Sequence, residues 1–262
     1  MTMRIKNLKT VSPDEAVRAV RSGDHVHFSA TSNTPACLVS ALGRRGRSGE
    51  LRGVHIHHLH TEGPAPYADP SFEGVFQLDS FFLGPNVRRS TQQGYADYIP
   101  VFLGETQRLY REGYLPCDVA MIQVSPPDER GYVSLGTSVD ASVAAVEKAR
   151  VVIAVINPNV PHTFGDGLIH ASRIHFFVED EDDTPLETVH FALPNDVEAA
   201  IGKHCASLIE DGATLQMGIG AIPNAVLAQL SGHKNLGIHT EMFADGVIDL
   251  VEKGHQRREQ SD

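Results

Sequence analysis

The stretch Cys117–Pro126, CDVAMIQVSP, decides the fold. A strand covered on one face alternates apolar and polar residues, whereas a short run apolar at consecutive positions is covered on both faces. Val119 to Val124 is such a run, too short for a buried helix and closed by Pro126. Val151–Pro161, VVIAVINPNVP, repeats the pattern and stops at Asn157-Pro158. Between the two lie a turn (PDERGY), a short return (YVSLG) and the helical stretch DASVAAVEKAR. Strand, helix and strand in that order predict parallel strands joined by a crossover.

The same alternation extends outward in both directions. Toward the N-terminus, Ser12-Pro-Asp-Glu caps a first helix that Gly23 ends. HVHFS (25–29), VHIHHLH (54–60) and GVFQLDSFFLG (74–84) follow as strands, with helices at PACLVSALGRR (35–45) and FLGETQRLYREG (102–113). Toward the C-terminus, IHFFVED is a strand and the acidic EDEDDTPLE is a surface loop and the best domain boundary. Beyond it, the capped helix NDVEAAIGKHCASLIEDG leads into ATLQMGIG, IPNAVLAQL, NLGIHT and FADGVIDLVEKG, a β-α-β-α series. The expected class is α/β, with open, mostly parallel sheets and flanking helices. Residues 1–190 form one complete N-terminal domain, and residues 191–262 begin a second, similar one. The final HQRREQSD contains no apolar residue, so it does not supply the next buried strand, and the second domain is expected to be incomplete.

Composition narrows the function. With 22 Lys and Arg against 33 Asp and Glu, the net charge is −11, and no basic stretch offers the counterion release that nucleic-acid binding needs. No apolar run approaches the length of a membrane span, and the N-terminus lacks a signal-peptide core. Cys37, Cys117 and Cys205 are odd in number and widely spaced, as reduced thiols of a cytoplasmic protein are. The expected setting is therefore cytoplasmic, without nucleic acid or membrane.

Three motifs invite chemistry. LQMGIGAIPNAV, residues 215–226, runs from a strand through a glycine turn into a helix. Gly218 and Gly220 permit close backbone approach to a ligand, and the helix N–H groups can face an anion. Pro223 stands where a dinucleotide fingerprint has its third glycine, and no Gly-Lys-Ser/Thr follows as in a P-loop. On the residues alone a plain tight turn explains the motif equally well. LGIHTEMFADG, residues 236–246, ends a strand in Thr240-Glu241, which reads either as a solvated helix-start acid or as a carboxylate at the ligand-binding end of a sheet. HIHHLH puts His55 and His57 on one strand face and His58 and His60 on the other. Without acidic or cysteine partners at useful spacing, packed or hydrogen-bonded histidines are expected there rather than zinc. Cys37, near a helix start, is read as structural, and no G-x-S-x-G elbow supports a serine hydrolase.

The motifs together resemble the acetyl-CoA hydrolase/transferase family, the class I CoA-transferases, on the side of the 4-hydroxybutyrate CoA-transferase branch. The resemblance rests on GATLQMGIGAIPNAVL and LGIHTEMFADGVIDLVEKG, and upstream on DYIPVFLGE, CDVAMIQVSPPDERGYVSLGTSVD, VVIAVINPNVPHTFGD and IHASRIHFFVED. It covers nearly the whole chain to Gly254. It implies that Glu241 is a nucleophile that takes CoA from an acyl-CoA, such as acetyl-CoA, to a short carboxylate such as 4-hydroxybutyrate or butyrate. It further implies that Gln216, Met217, Gly218 and Gly220 border the reacting centre. The loop Thr31 to Pro35 with Asn33, the segment Asn86 to Arg88, and Thr163 to Asp166 with Gly165 belong to the acyl side. The implied substrates are an acyl-CoA and a small carboxylate, with no resident cofactor and no metal; a homo-oligomer or a complementing C-terminal polypeptide is expected.

Two departures stand out. SATSNTP replaces the small or glycine residues common in the first βα loop, and His162 stands where an arginine is common. Relatives also continue past Gly254 to complete the second domain with a second glycine-rich loop and much of the CoA site. An acetyl-CoA hydrolase, and an inactive fragment or subunit that needs a complementing C-terminal half, therefore remain open beside the transferase.

Overall fold

The computed structural model describes residues 9–179, 184–186 and 193–254. The acidic residues 180–183 and the tail 255–262, on which part of the boundary reading and the ending were argued, lie outside them. The chain divides into two compact units, Met1–Thr188 and Val189–Asp262.

In the first unit, the described strands are β1 (His25–Phe28), β2 (Val54–His58), β3 (Phe76–Ser80), β4 (Ala96–Tyr98), β5 (Val119–Val124), β6 (Tyr132–Ser134), β7 (Val151–Ile156), β8 (Leu168–His170) and β9 (Phe176–Glu179). Seven of them make one sheet in the order β4-β3-β2-β1-β5-β7-β9, and every neighbouring pair is parallel. β6 and β8 form a small antiparallel pair. The α/β class with a mostly parallel sheet is thus realised, and its cause is visible in β5. All six of its residues are buried, so neither face of the sheet centre can be left to water.

Helices α1 (Pro13–Ala16), α2 (Ala36–Arg47), α3 (Pro85–Gln92), α4 (Thr106–Arg111) and α5 (Ser142–Lys148) supply the cover. On one face, Val26, Phe28, Ile56, Leu78 and Met121 pack with Leu38 and Leu42 of α2. On the other, Ala120, Ile122, Val124 and Ala154 pack with Tyr110 of α4 and Ala144 and Ala145 of α5. Ser12 caps α1 by accepting from the Glu15 N–H at 3.2 Å, as its sequence signature predicts. Helix α3 and strand β4 were not anticipated. PNVRRSTQ buries Val87 alone, so it carries no apolar stripe for a periodicity argument to find.

The second face also holds histidines. His27 is fully buried, with its ring nitrogens 3.2 Å from the Tyr110 hydroxyl and 3.0 Å from the Ser142 hydroxyl. His58, on the opposite face, sits 3.0 Å from the Tyr67 hydroxyl. Burial pushes both imidazoles down to about 3, so each is held as a neutral, hydrogen-bonded ring.

The second unit contains α6 (Asp196–Ala206), β10 (Thr214–Leu215), α7 (Ala221–Gln229), β11 (Gly237–Ile238) and α8 (Gly246–Glu252), with β10 and β11 paired in parallel. Asn195 and Glu198 form a reciprocal capping box at the start of α6. A two-stranded sheet is marginal in isolation. Here Leu227, Leu230, Leu236, Val247 and Leu250 give it a core. Helices α6 and α7 meet at Gly202, where an added Cβ would stand 2.7 Å from the carbonyl carbon and oxygen of Ala225 in α7.

That contact gives a test of sign. In an exposed helix interior, Gly→Ala gains about 1 kcal/mol. At Gly202 the new methyl meets backbone that cannot swing away, and overpacking of this kind costs about 1–3 kcal/mol. Gly202→Ala is therefore expected to lower the thermal midpoint of the second unit, measured by circular dichroism; a raised midpoint would contradict the α6–α7 packing.

Candidate active site

In the first unit the chain reverses its direction of sheet building between β1 and β5, since β2 to β4 lie on one side of β1 and β7 and β9 on the other. Open α/β sheets bind ligands outside the carboxyl ends of the strands at such a point. The loop after β1 occupies that position. The Ser29 hydroxyl ties it to β5, donating to the Asn33 carbonyl at 2.6 Å and accepting from the Gln123 N–H at 3.1 Å. Thr31 takes a left-handed conformation at φ +52°, held by its N–H on the His60 carbonyl at 2.8 Å. Such a φ is uncommon outside glycine, and the surrounding bonds hold it.

A pocket of about 110 Å³ opens there, lined by Ser32, Thr34, Cys37, Glu62, Gln123 and Val155 among others. The Thr34 hydroxyl donates to the Thr31 carbonyl at 2.7 Å and accepts from the Glu62 N–H at 2.9 Å, so the loops after β1 and β2 are fixed to each other. Asn86 extends the same lattice, its amide N–H₂ donating to the carbonyls of Thr61 at 2.9 Å and Gly63 at 3.0 Å.

The predicted residues divide by what their side chains do. Asn33 is fully buried and donates to the Leu135 carbonyl while accepting from Thr137, so its amide ties the loop after β1 to the segment after β6. Thr163 donates twice within the first unit, through its N–H to the Ser134 hydroxyl at 3.1 Å and through its own hydroxyl to the Gly136 carbonyl at 2.9 Å. Gly165 is exposed at φ +93°, a conformation that glycine adopts without strain. Arg88 is exposed, with a single long bond of 3.4 Å to the Leu83 carbonyl. His162, at the departure noted above, lies 3.2 Å from the Ser125 hydroxyl. Sequence reasoning missed Glu62 and Gln123 as pocket residues. Gln123 carried a signal, being the one polar side chain inside an otherwise apolar strand.

In the second unit the two motifs come together. Thr240, two residues past β11, accepts from the Met217 N–H at 3.2 Å and turns its hydroxyl hydrogen toward the carbonyls of Met217 at 2.9 Å and Met242 at 3.0 Å. Both backbone groups of the residue before Gly218 are thereby clamped to the residue before Glu241. Gly220 follows at φ +117° and begins α7, whose first N–H groups lie at the same end. Gln216, Gly218 and Glu241 are exposed, while the Met217 side chain enters the core. An apolar cavity of about 230 Å³ lies alongside, lined by Leu215, Met217, Gly218, Ile222 and Pro223 with neighbours from α7. A carboxylate, a glycine turn and unfilled N–H groups thus share one end of the two-stranded sheet. Such a set can present a nucleophile and donors for a developing oxyanion.

Residues 5–187 match the family model described as the acetyl-CoA hydrolase/transferase N-terminal domain. The chain belongs to the acetyl-CoA hydrolase/transferase family. Over 92% of its length it is 43% identical to a succinyl-CoA:acetate/propanoyl-CoA:succinate CoA transferase of Fasciola hepatica, and covers 50% of that protein. Over 94% it is 44% identical to the 4-hydroxybutyrate coenzyme A transferase of Clostridium kluyveri, and covers 56% of it. The chain thus spans about half the length of these relatives. Among solved structures, RipA from Yersinia pestis superposes with a TM-score of 0.86 at 29% identity, over 95% of this chain and 59% of that one. A 4-hydroxybutyrate CoA-transferase from Porphyromonas gingivalis gives 0.77 at 37% identity, over 95% and 58%. Family membership accounts for the α/β architecture. No described helix is long and apolar enough to cross a membrane.

The Thr240 clamp is directly measurable. Thr240→Val keeps the shape but removes both bonds, at a cost of about 1–3 kcal/mol for the groups left unpaired. Hydrogen exchange of the Met217 amide is expected to speed up at least fivefold in the variant. An unchanged exchange rate would remove the clamp from the account.

Proposed function

We propose that this chain is the part of a CoA-transferase that carries the nucleophile, and that the nucleophile is Glu241. The observation that carries the reading is the Thr240–Met217 clamp, which in a member of this family sets an exposed carboxylate beside the glycine turn Gly218-Ile219-Gly220. Ionised Glu241 attacks the thioester carbonyl of an acyl-CoA, giving an acyl-glutamyl anhydride and CoA thiolate. The thiolate then attacks the glutamyl carbonyl, forming a glutamyl-CoA thioester and releasing the first acid with one of the glutamate's oxygens. An incoming carboxylate reverses these steps and leaves as the new acyl-CoA. Each tetrahedral intermediate carries an oxyanion, for which the N–H groups around Gly218 and Gly220 are the candidate donors. Covalent catalysis splits one difficult exchange into easier ones, and binding of the distant part of CoA offsets the cost of the anhydride.

The acyl partners we favour are short: acetyl-CoA as donor, with 4-hydroxybutyrate or butyrate as acceptor. The similarity to relatives named for these and for succinyl substrates supports the class. Hydrolysis, in which water resolves the glutamyl thioester, is the competing outcome, and an accelerating effect of the acceptor separates the two.

The test uses the complete protein that carries this chain. With acetyl-CoA present, borohydride is expected to reduce the thioester and mark Glu241, as peptide mass spectrometry would read. Glu241→Gln should fold normally, lose the mark and lose on the order of a thousandfold or more in rate. An undiminished rate in Glu241→Gln would sink the assignment.

A further inference from the structure

The sheet of the first unit carries a second constellation that CoA transfer does not use. His25 on β1 is in register with His55 on β2, and His57 two residues on stands opposite Asp79 on β3. Because residues two apart share a face, all four side chains project from the same side of three adjacent parallel strands. The imidazole nitrogens of His25, His55 and His57 include one from each ring that all lie within 4.8 Å of one another. His25 Nδ1 is 3.1 Å from His57 Nε2, which is in turn 3.4 Å from Asp79 Oδ2. Asp79 Oδ2 lies 2.7 Å from His55 Nδ1.

Hydrogen bonding leaves one contact of this arrangement unmatched. His57 Nε2 faces both His25 Nδ1 and Asp79 Oδ2, and a single hydrogen on that nitrogen serves one of them. His57 is buried, and its Nδ1 finds no partner among the described residues. Four electron-pair donors therefore converge with too few protons between them, in a place where unmatched polar atoms are costly. A cation at their centre would be a common partner for all four.

We propose that His25, His55, His57 and Asp79 form a binding site for a divalent transition-metal ion of the zinc class. Tetrahedral zinc with nitrogen and oxygen ligands at about 2.0–2.1 Å separates its ligand atoms by roughly 3.3 Å, and the contacts above bracket that value. Three imidazoles and one carboxylate are a borderline-soft set suited to zinc or cobalt rather than to magnesium or calcium. His25 and His55 stack with ring centroids 4.5 Å apart and planes at 12°, so the pair must tilt for both planes to contain the ion. Their positions allow it, since the His55 side chain is 37% exposed and Asp79 is 15% exposed, leaving a path from solvent. Tyr110 stacks on His57 from below at 6.1 Å between ring centroids and fixes the buried ligand.

The proposal does not rest on the transferase reading. The sequence hid it because HIHHLH divides between two faces, and the missing partners lie 30 residues before His55 and 24 after it.

The test uses the complete protein, stripped with chelator, and the metal ions alone. Cobalt titration is expected to saturate at one equivalent with the visible absorption of a tetrahedral ion, and zinc should displace it. His55→Gln and Asp79→Asn, at two partly exposed ligands, should each weaken binding by about tenfold or more. His204→Gln, an exposed histidine of the second unit, should leave it unchanged. X-ray absorption of the zinc-loaded, unmutated protein should count three imidazoles and one oxygen, which keeps the test valid should a variant fail to fold. No tetrahedral cobalt spectrum, an affinity in both ligand variants unchanged from the unmutated protein, or fewer than three imidazoles on zinc would overturn the proposal.

Discussion

The fold depends on the double-sided burial of β5, and with it β7. A strand with six consecutive buried residues cannot face water on either side, so helices must cover both faces of the sheet. Parallel connections then follow, because a helix crossover returns the chain to the same edge. Every strand of the main sheet consequently ends at one side of the first unit, where the loops after β1 and β2 meet the end of β5. The left-handed Thr31, the Ser29 bridge and the Thr34 hydroxyl are local solutions to the crowding this produces.

In the second unit a much smaller sheet does the same with fewer means. Two strands of two residues give little pairing energy, and side chains carry the alignment instead. Thr240 holds both backbone groups of Met217, and Gly202 lets α6 approach α7 to backbone contact. The proposed nucleophile thus sits on a turn whose position is set by hydrogen bonds adjacent to it. Preorganisation of this kind matters for a carboxylate that must meet a carbonyl within contact distance.

Much of the architecture was legible in the sequence because the pattern and the packing have one cause. CDVAMIQVSP and VVIAVINPNVP announce doubly buried strands, and Asn195 with Glu198 announces a helix start. Helix α3 escaped because its exposed surface is polar nearly all round. Glu241 and the glycine turn of the proposed site were picked out through resemblance more than through composition. The loop-closing hydrogen bonds of Asn33 and Asn86 were not legible, since an amide that closes a loop and one that binds a ligand look identical in a sequence. The cluster of His25, His55, His57 and Asp79 escaped for another reason: strand register, not spacing along the chain, brings the four together.

The path of oxygen tests the central claim most directly. In the proposed cycle the acceptor carboxylate leaves one of its oxygens on the glutamate when its acyl group departs with CoA. A single turnover of the complete protein with acetyl-CoA and ¹⁸O-labelled acceptor carboxylate, followed by digestion and mass spectrometry, reads that transfer. The account predicts one labelled oxygen in the peptide containing Glu241. Labelled acyl-CoA formed with no label in that peptide would contradict it.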